Sequence, residues 1–278
     1  MNPWQVIVLS AILLPVLLDI VAEYLDLRSG TGPLPAAFSE VWTPAEYGRT
    51  CAYLRTRARL ACLQAGVGAV LLTAMVVGGG FGLLDRWART LADGEIGRGL
   101  VFAGVLAFGA GVVGLPFSWY RTFRVEAAYG FNQTSAATFI RDRVLAVLLG
   151  GLLGGGLFAA VVYLFDATAW AWLWAWLVVA AFQGLTAVLA PTLIMPLFNK
   201  FTPLPEGRLR QDIEAYARQQ DFPLQGIYTM DGSRRSSKAN AMFTGFGRFR
   251  RIVLFDTLLD KYRDDEVLQP GDLVVVDS

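Results

Sequence analysis

Apolar residues run along this chain in five long stretches, roughly 4–22, 60–84, 99–120, 144–165 and 170–198, and arginines cluster in most of the segments between them. Each stretch is near or above the ~20 residues that an α-helix needs to cross a ~30 Å hydrocarbon core. None alternates with the period of two expected of a barrel wall. Backbone in hydrocarbon must satisfy its own hydrogen bonds, which leaves helices. The pattern predicts an all-α membrane protein, a five-span transmembrane helical bundle. From about residue 200 the regime changes to a small cytoplasmic α+β fragment. There 207–219 reads as an amphipathic helix with Leu209, Ile213 and Tyr216 on one side. Strands are expected at 226–230, 239–244 and 250–255, with a polar turn at Asp231, Gly232 and Ser233. Asp256 or Thr257 is the expected cap of a helix starting at Leu258. A fragment of this size is short for a full core of its own.

Composition supports this division. Hydrophobic residues make up 55% and charged residues 17% of the 278 positions, and mean hydropathy is +0.47. That leaves too little polar surface for an ordinary soluble domain. The first run has no Lys or Arg ahead of it, an acidic exit at Asp19 and Glu23, and no small-residue cleavage pattern after it. It is read as an uncleaved first helix. Glycines gather in the middle spans, at Gly66, Gly68, Gly104, Gly109, Gly111, Gly114, Gly150, Gly151 and Gly154 among others. They fit either close helix approach or kinks and cavity walls. Pro191 and Pro196 predict a bent or broken exit from the fifth span, since each lacks an N–H.

Charge sets orientation and excludes some partners. No Lys or Arg precedes the first span or lies between the fourth and fifth. Arg28, Arg49, Arg55, Arg57 and Arg59 precede the second, and Arg121, Arg124, Arg141 and Arg143 lie between the third and fourth. Arg86, Arg89 and Arg98 weaken the contrast without inverting it. The expectation is an outside N-terminus and a cytoplasmic C-terminus. A net charge of +1 gives no basis for nucleic-acid binding. Trp170, Trp172, Trp174 and Trp176 read as an interfacial belt, because no cation lies near enough to make a base-stacking groove. Cys51 and Cys62 read as structural thiols. Glu126 reads as a structural partner for Arg124 or a loop amide, and Asn132 and Thr134 as caps of the next helix.

Three ordered blocks carry a resemblance: LPFSWY at 115–120 with Phe123, Glu126 and YGFNQT at 129–134; Pro191 with IMPLFNKFTPL at 194–204; and MDGSRRSSKANAMFTGFG at 230–247, continuing into RIVLFDTLL at 251–259. Together they resemble the intramembrane zinc metalloproteases of the CAAX prenyl protease 1 type, within the M48 peptidases. The resemblance implies a transmembrane domain at 1–199, part of an M48 peptidase domain at 200–268, and a divergent tail at 269–278. It implies an edge strand at Asn240, Ala241, Met242 and Phe243 that holds an extended substrate, against the plainer reading of an internal strand with Asn240 at a turn. Arg234 and Arg235 are either contacts for a substrate carboxylate or acidic lipid, or a solvated basic turn. The implied partners are the lipid bilayer and a membrane-bound or lipidated protein substrate.

The family's catalytic helix carries HExxH, whose two His bind zinc while the Glu acts as general base. This chain has no histidine at all. Asp265, Glu266, Val267 and Leu268 look like the approach to that helix, and Gln269, Pro270 and Gly271 then break the pattern. Where the family commonly has His-Ser before the asparagine, this chain has Lys238 and Ala239. Asp256, Asp260, Asp264, Asp265 and Glu266 are read as a helix cap and solvated face rather than a carboxylate metal site. The expectation is therefore the N-terminal portion of a CaaX-type zinc metalloendopeptidase, with no catalytic or metal-binding residue of its own and inactive as this chain. Zinc is expected only for a complete family member. The alternative is a noncatalytic membrane protein that serves as assembly partner or substrate-holding module.

Overall fold

The structure, a computed structural model, describes residues 3–29, 34, 42–245 and 250–262. It forms two compact units, Met1–Tyr129 and Gly130–Ser278. Among the described residues five helical stretches are long and apolar enough to cross a membrane: Pro3–Leu25, Pro44–Val77, Gly94–Glu126, Ala136–Ala167 and Ala171–Phe198. The chain is a multi-pass membrane protein with a small α+β region after its long apolar helices.

In the first unit α1 covers Pro3–Ser29 and α2 covers Pro44–Val77. The second helix starts well before the expected position 60. Thr43 Oγ1 accepts from the Glu46 N–H (3.3 Å) and the Glu46 carboxylate accepts from the Thr43 N–H (3.0 Å). With Pro44 in the first turn, this reciprocal cap fixes the start. Arg49, Arg55, Arg57 and Arg59 thus ride on a helix rather than in a loop. The span also stops short of 84. Gly79 has φ +68°, a left-handed turn that suits glycine, and separates α2 from a third helix, α3 (Gly80–Leu91). Helix α4 (Gly94–Tyr120) continues into a π-helical segment, Arg121–Glu126. Glu126 accepts from the Tyr53 hydroxyl (2.7 Å).

The second unit holds α5 (Ala136–Leu149), a π-helical segment Gly150–Gly154 and α6 (Gly155–Ala167), which together make the fourth span. The cap of α5 is Ser135, whose Oγ accepts from the Thr138 N–H (3.1 Å); it is neither Asn132 nor Thr134. Helix α7 (Ala171–Leu189) is followed by a third π-helical segment, Ala190–Ile194, and by α8 (Met195–Phe198). The widened turn falls at Pro191, where the missing N–H already interrupts the α-helical ladder. A Cβ added at Gly66, Gly68, Gly104, Gly109, Gly111, Gly114, Gly150, Gly151 or Gly154 would meet no atom within 4 Å. These glycines are not close-approach points within the chain. Cys51 and Cys62 form no disulfide.

Beyond α8 the chain makes β1 (Phe201–Pro203), α9 (Arg208–Gln219), β2 (Gly226–Met230), a 3-10 turn (Gly232–Arg234), β3 (Ala241–Thr244), β4 (Arg251–Phe255) and α10 (Asp256–Lys261). The sheet order is β1-β2-β4-β3, with β2 and β4 parallel and the outer pairs antiparallel. The three-residue β1 was not expected. Pro203 argues against a central strand, but β1 lies at an edge, where a missing N–H is tolerated. Leu204, Leu209, Ile213, Ile227, Leu254 and Leu258 form the core. On α9 the buried positions are Leu209, Ile213 and Ala217, whereas Tyr216 is exposed. The apolar side is thus narrower than expected and shifted by one residue. Arg210 ties α9 to the chain before it by donating to Leu204 O (3.1 Å), and within the helix it donates to Glu214 Oε1 (3.0 Å). The hydrogen bond that Arg210 donates to the Glu214 carboxylate holds the guanidinium above its ordinary pKa. Helix α10 begins at Asp256, two residues before the expected Leu258, with Phe255 as its N-cap.

Candidate functional site

The segment Asn240 to Phe243 lies at an edge of the sheet. Strand β3 pairs with β4 in the register Ala241↔Leu254, Met242↔Val253, Phe243↔Ile252 and Thr244↔Arg251. Among the described residues no strand pairs with its other side. The Phe255 N–H donates to the Asn240 carbonyl (3.0 Å). In an antiparallel ladder the hydrogen-bonding direction alternates, so Met242 and Thr244 also face β4, while the N–H and C=O of Ala241 and Phe243 face outward. The Asn240 side chain agrees with this, since its Oδ1 accepts from the Ala241 N–H at 2.8 Å. Asn240 is thus both the last residue before the strand and a bracket that sets its first outward amide. Phe243 is 71% exposed and meets Phe222 edge-on, with ring centroids 5.6 Å apart.

What fixes this edge is a polar junction centred on Arg235. Its guanidinium is about three-quarters buried and makes a two-point contact with the Asp142 carboxylate on α5 (2.9 and 3.1 Å). It also donates to Asn199 Oδ1 and to the Phe198 carbonyl, each at 2.6 Å. The planar fork of arginine suits this set of acceptors, and lysine would not reproduce it. The Arg235 carbonyl in turn accepts from the Gln133 N–H (3.0 Å) and the Thr134 hydroxyl (3.1 Å). Arg235 therefore joins the helix α5, the exit of the fifth span and the 131–134 segment. Arg234 is exposed at the end of the 3-10 turn.

Neighbouring contacts extend the junction. The Lys200 N–H donates to Asp231 Oδ1 (2.7 Å) and the Asp231 N–H to the Lys200 carbonyl (3.2 Å). Ser237 donates its N–H to the Phe131 carbonyl and its hydroxyl to the Gly130 carbonyl. Lys238 places Nζ 4.6 Å from the Phe131 ring centroid. Asp256 accepts from the Ser233 N–H and the Thr257 N–H, each at 2.8 Å, and from the Ser233 hydroxyl. A Cβ at Gly232 would lie 2.5 Å from Phe255 Cδ2, so only glycine fits that turn. Thr257 donates its hydroxyl to the Lys238 carbonyl (2.8 Å). The three blocks that are separate in sequence meet here, just before β3. Asp142 is not among the residues the sequence points to, because the apolar run of the fourth span starts only at 144. Its signal was being the sole acidic residue between Glu126 and Asp166.

The sequence profile described as "CAAX prenyl protease N-terminal, five membrane helices" matches residues 23–200. The chain belongs to the CAAX prenyl protease family of M48 peptidases. The M48 peptidase profile itself matches residues 203–269. A CAAX prenyl protease 1 homolog of Oryza sativa is 34% identical over 91% of this chain and 63% of its own length. The CAAX prenyl protease 1 of Saccharomyces cerevisiae is 39% identical over 62% of this chain and 38% of its own. The crystal structure of S. mikatae Ste24p superposes with a TM-score of 0.86 at 29% identity, covering 94% of this chain and 63% of that one. The chain thus spans less than two thirds of the length of these relatives.

The described residues offer no set of side chains that fits a zinc centre. The sequence contains no histidine. Among the described residues no three His, Cys, Asp or Glu side chains come together as ligands could. A catalytic zinc takes three protein ligands and keeps a fourth position open for water. Asp256 is engaged by Ser233 and Thr257, and Asp260 is exposed on α10. The residues 263–278, with Asp264, Asp265, Glu266 and the break after Leu268, lie outside the described residues.

Proposed function

We propose that this chain supplies the membrane helices and substrate-holding edge of CaaX-type proteolysis, and that hydrolysis is not performed by its own residues. An extended peptide from the C-terminal region of a membrane-bound or prenylated protein adds to β3 as a further strand. It pairs its backbone with the outward N–H and C=O of Phe243 and the outward C=O of Ala241. Main-chain pairing of this kind gives affinity without reading every side chain, and alternate side chains fall on the two faces of the sheet. Arg234, exposed at the end of the 3-10 turn, is available to a substrate carboxylate or an acidic lipid. Arg235 acts through the junction, holding the segment that leads into β3. The multi-pass helices keep this edge with the membrane, where a lipidated substrate resides, and an outside N-terminus with a cytoplasmic C-terminus completes the reading.

The observation that carries this proposal is the antiparallel β3 with its outward amides and its anchorage through Arg235. Titration of the nanodisc-embedded chain with a fluorescent farnesylated CaaX peptide tests it. The expected result is saturable binding without cleavage, lost when a single alternate peptide nitrogen is methylated and kept when its neighbour is methylated. Equal binding by all methylated peptides would overturn strand addition. Release of a C-terminal tripeptide by the purified chain would overturn the assignment of hydrolysis to other residues.

A further inference from the structure

Helix α3, Gly80–Leu91, has twelve residues, about 18 Å at 1.5 Å per residue, too short to cross a bilayer. It sits between the two spans Pro44–Val77 and Gly94–Glu126, so its position is at one membrane surface. At 100° per residue its side chains divide into three sectors. Leu84 and Ala88 are buried, and Phe81 meets Phe102 of α4 with ring centroids 6.4 Å apart, so one apolar sector is covered by protein. Asp85, Arg86 and Arg89 occupy the opposite sector, where Asp85 and Arg89 pair at 2.9 Å. Between them lies a stripe spaced by four residues: Leu83 (63% exposed), Trp87 (50%) and Leu91 (57%). The apolar arc is about 160° wide by this geometry, and the protein covers only the half that carries Leu84 and Ala88.

We propose that α3 is an interfacial helix whose Leu83, Trp87 and Leu91 stripe is seated in the boundary between headgroups and acyl chains. The stripe adjoins the protein-packed sector on one side and the charged sector on the other. That is the order in which a helix lying along a bundle at the membrane surface meets protein, lipid and water. Tryptophan in the middle of the stripe suits this layer, since its ring is apolar and its N–H is polar. Arg86 and Arg89 reach the headgroups and water from the other edge. The seat is about 5–10 Å deep, as for other in-plane amphipathic helices. Its role is to hold the α2–α4 connection flat on the bilayer, so that the long helix α2 cannot slide along its own axis.

Spin labels at Leu83→Cys, Leu91→Cys, Asp85→Cys and Arg89→Cys, in a Cys51→Ala, Cys62→Ala chain in lipid nanodiscs, test the seat. The expected result is high oxygen and low nickel-chelate accessibility at 83 and 91, and the reverse at 85 and 89. Equal nickel accessibility at all four positions would overturn the proposal. So would low accessibility to both reagents at 83 and 91, which would mean that a second protein copy covers the stripe. Photolabelling of the unsubstituted chain with a diazirine at mid-acyl position gives an independent reading. Adducts on Leu83, Trp87 or Leu91 are expected, and adducts absent from 80–91 while present on the spans would contradict the inference.

Discussion

The last two spans and the four-stranded sheet share one compact unit but are held by different means. In Ala136–Ala167 and Ala171–Phe198 no residue of the most hydrophobic window is buried within the chain, and side chains such as Val147 (70% exposed) and Leu152 (72%) face outward. In the sheet, Val253, Leu254 and Ile227 are each under 5% exposed. Hydrocarbon is as apolar as leucine, so an outward leucine in a span costs nothing. In water the same exposure would forfeit burial free energy, so the sheet collects its apolar side chains under α9. Arg235 belongs to neither regime. It is a polar tie between α5 of the fourth span and the segment that leads into the sheet.

Substitutions separate these three modes. Arg235→Leu leaves the Asp142 carboxyl, largely enclosed by the protein, without its partner, a loss of about 3–5 kcal/mol for a buried pair. Backbone amides at 133 and 235–237 should then lose protection in hydrogen exchange on the nanodisc-embedded chain, while those of α7 stay slow. Unchanged exchange at 133 would contradict the tie. Leu254→Ala opens a cavity at the centre of the core and should cost about 2–5 kcal/mol, read as faster exchange in β2 and β4. Gly232→Ala forces Phe255 aside and should cost about 1–3 kcal/mol, with the loss confined to the 3-10 turn and the start of α10. Leu152→Ala should fall within about 0.5 kcal/mol, as at surface positions. A span that lost as much stability at Leu152 as the sheet loses at Leu254 would remove the contrast.

Much of this was legible from residue pattern. Strand β2 lies at the expected 226–230 and β4 within 250–255, because short β-branched and aromatic runs bounded by turn residues have few alternatives. The number of spans followed from length and hydropathy alone. Their starts were less legible where charge misled. Arg49 to Arg59 suggested a loop, although Thr43, Pro44 and Glu46 already spell a helix cap that overrides the charge pattern. The apolar run to 84 continues across Gly78 to Gly80, so hydropathy alone does not separate α3 from the second span. The burial of Ala217 rather than Tyr216 after Ile213 depends on what α9 packs against, and helical spacing alone does not contain that. The Arg235 junction was out of reach for a similar reason. Its members are 93 residues apart between Asp142 and Arg235, and only the fold brings them to one point.

The account rests on β3 offering a free edge to an extended peptide, and residue-resolved hydrogen exchange reads that edge directly. In the nanodisc-embedded chain alone, the Met242 amide, which faces β4, should exchange slowly and the outward Phe243 amide quickly. On addition of a saturating farnesylated CaaX peptide, Phe243 should become as slow as Met242, with Met242 unchanged. A Phe243 amide that stays fast while the peptide is bound would contradict the account, because the peptide would then be held somewhere other than the edge of the sheet.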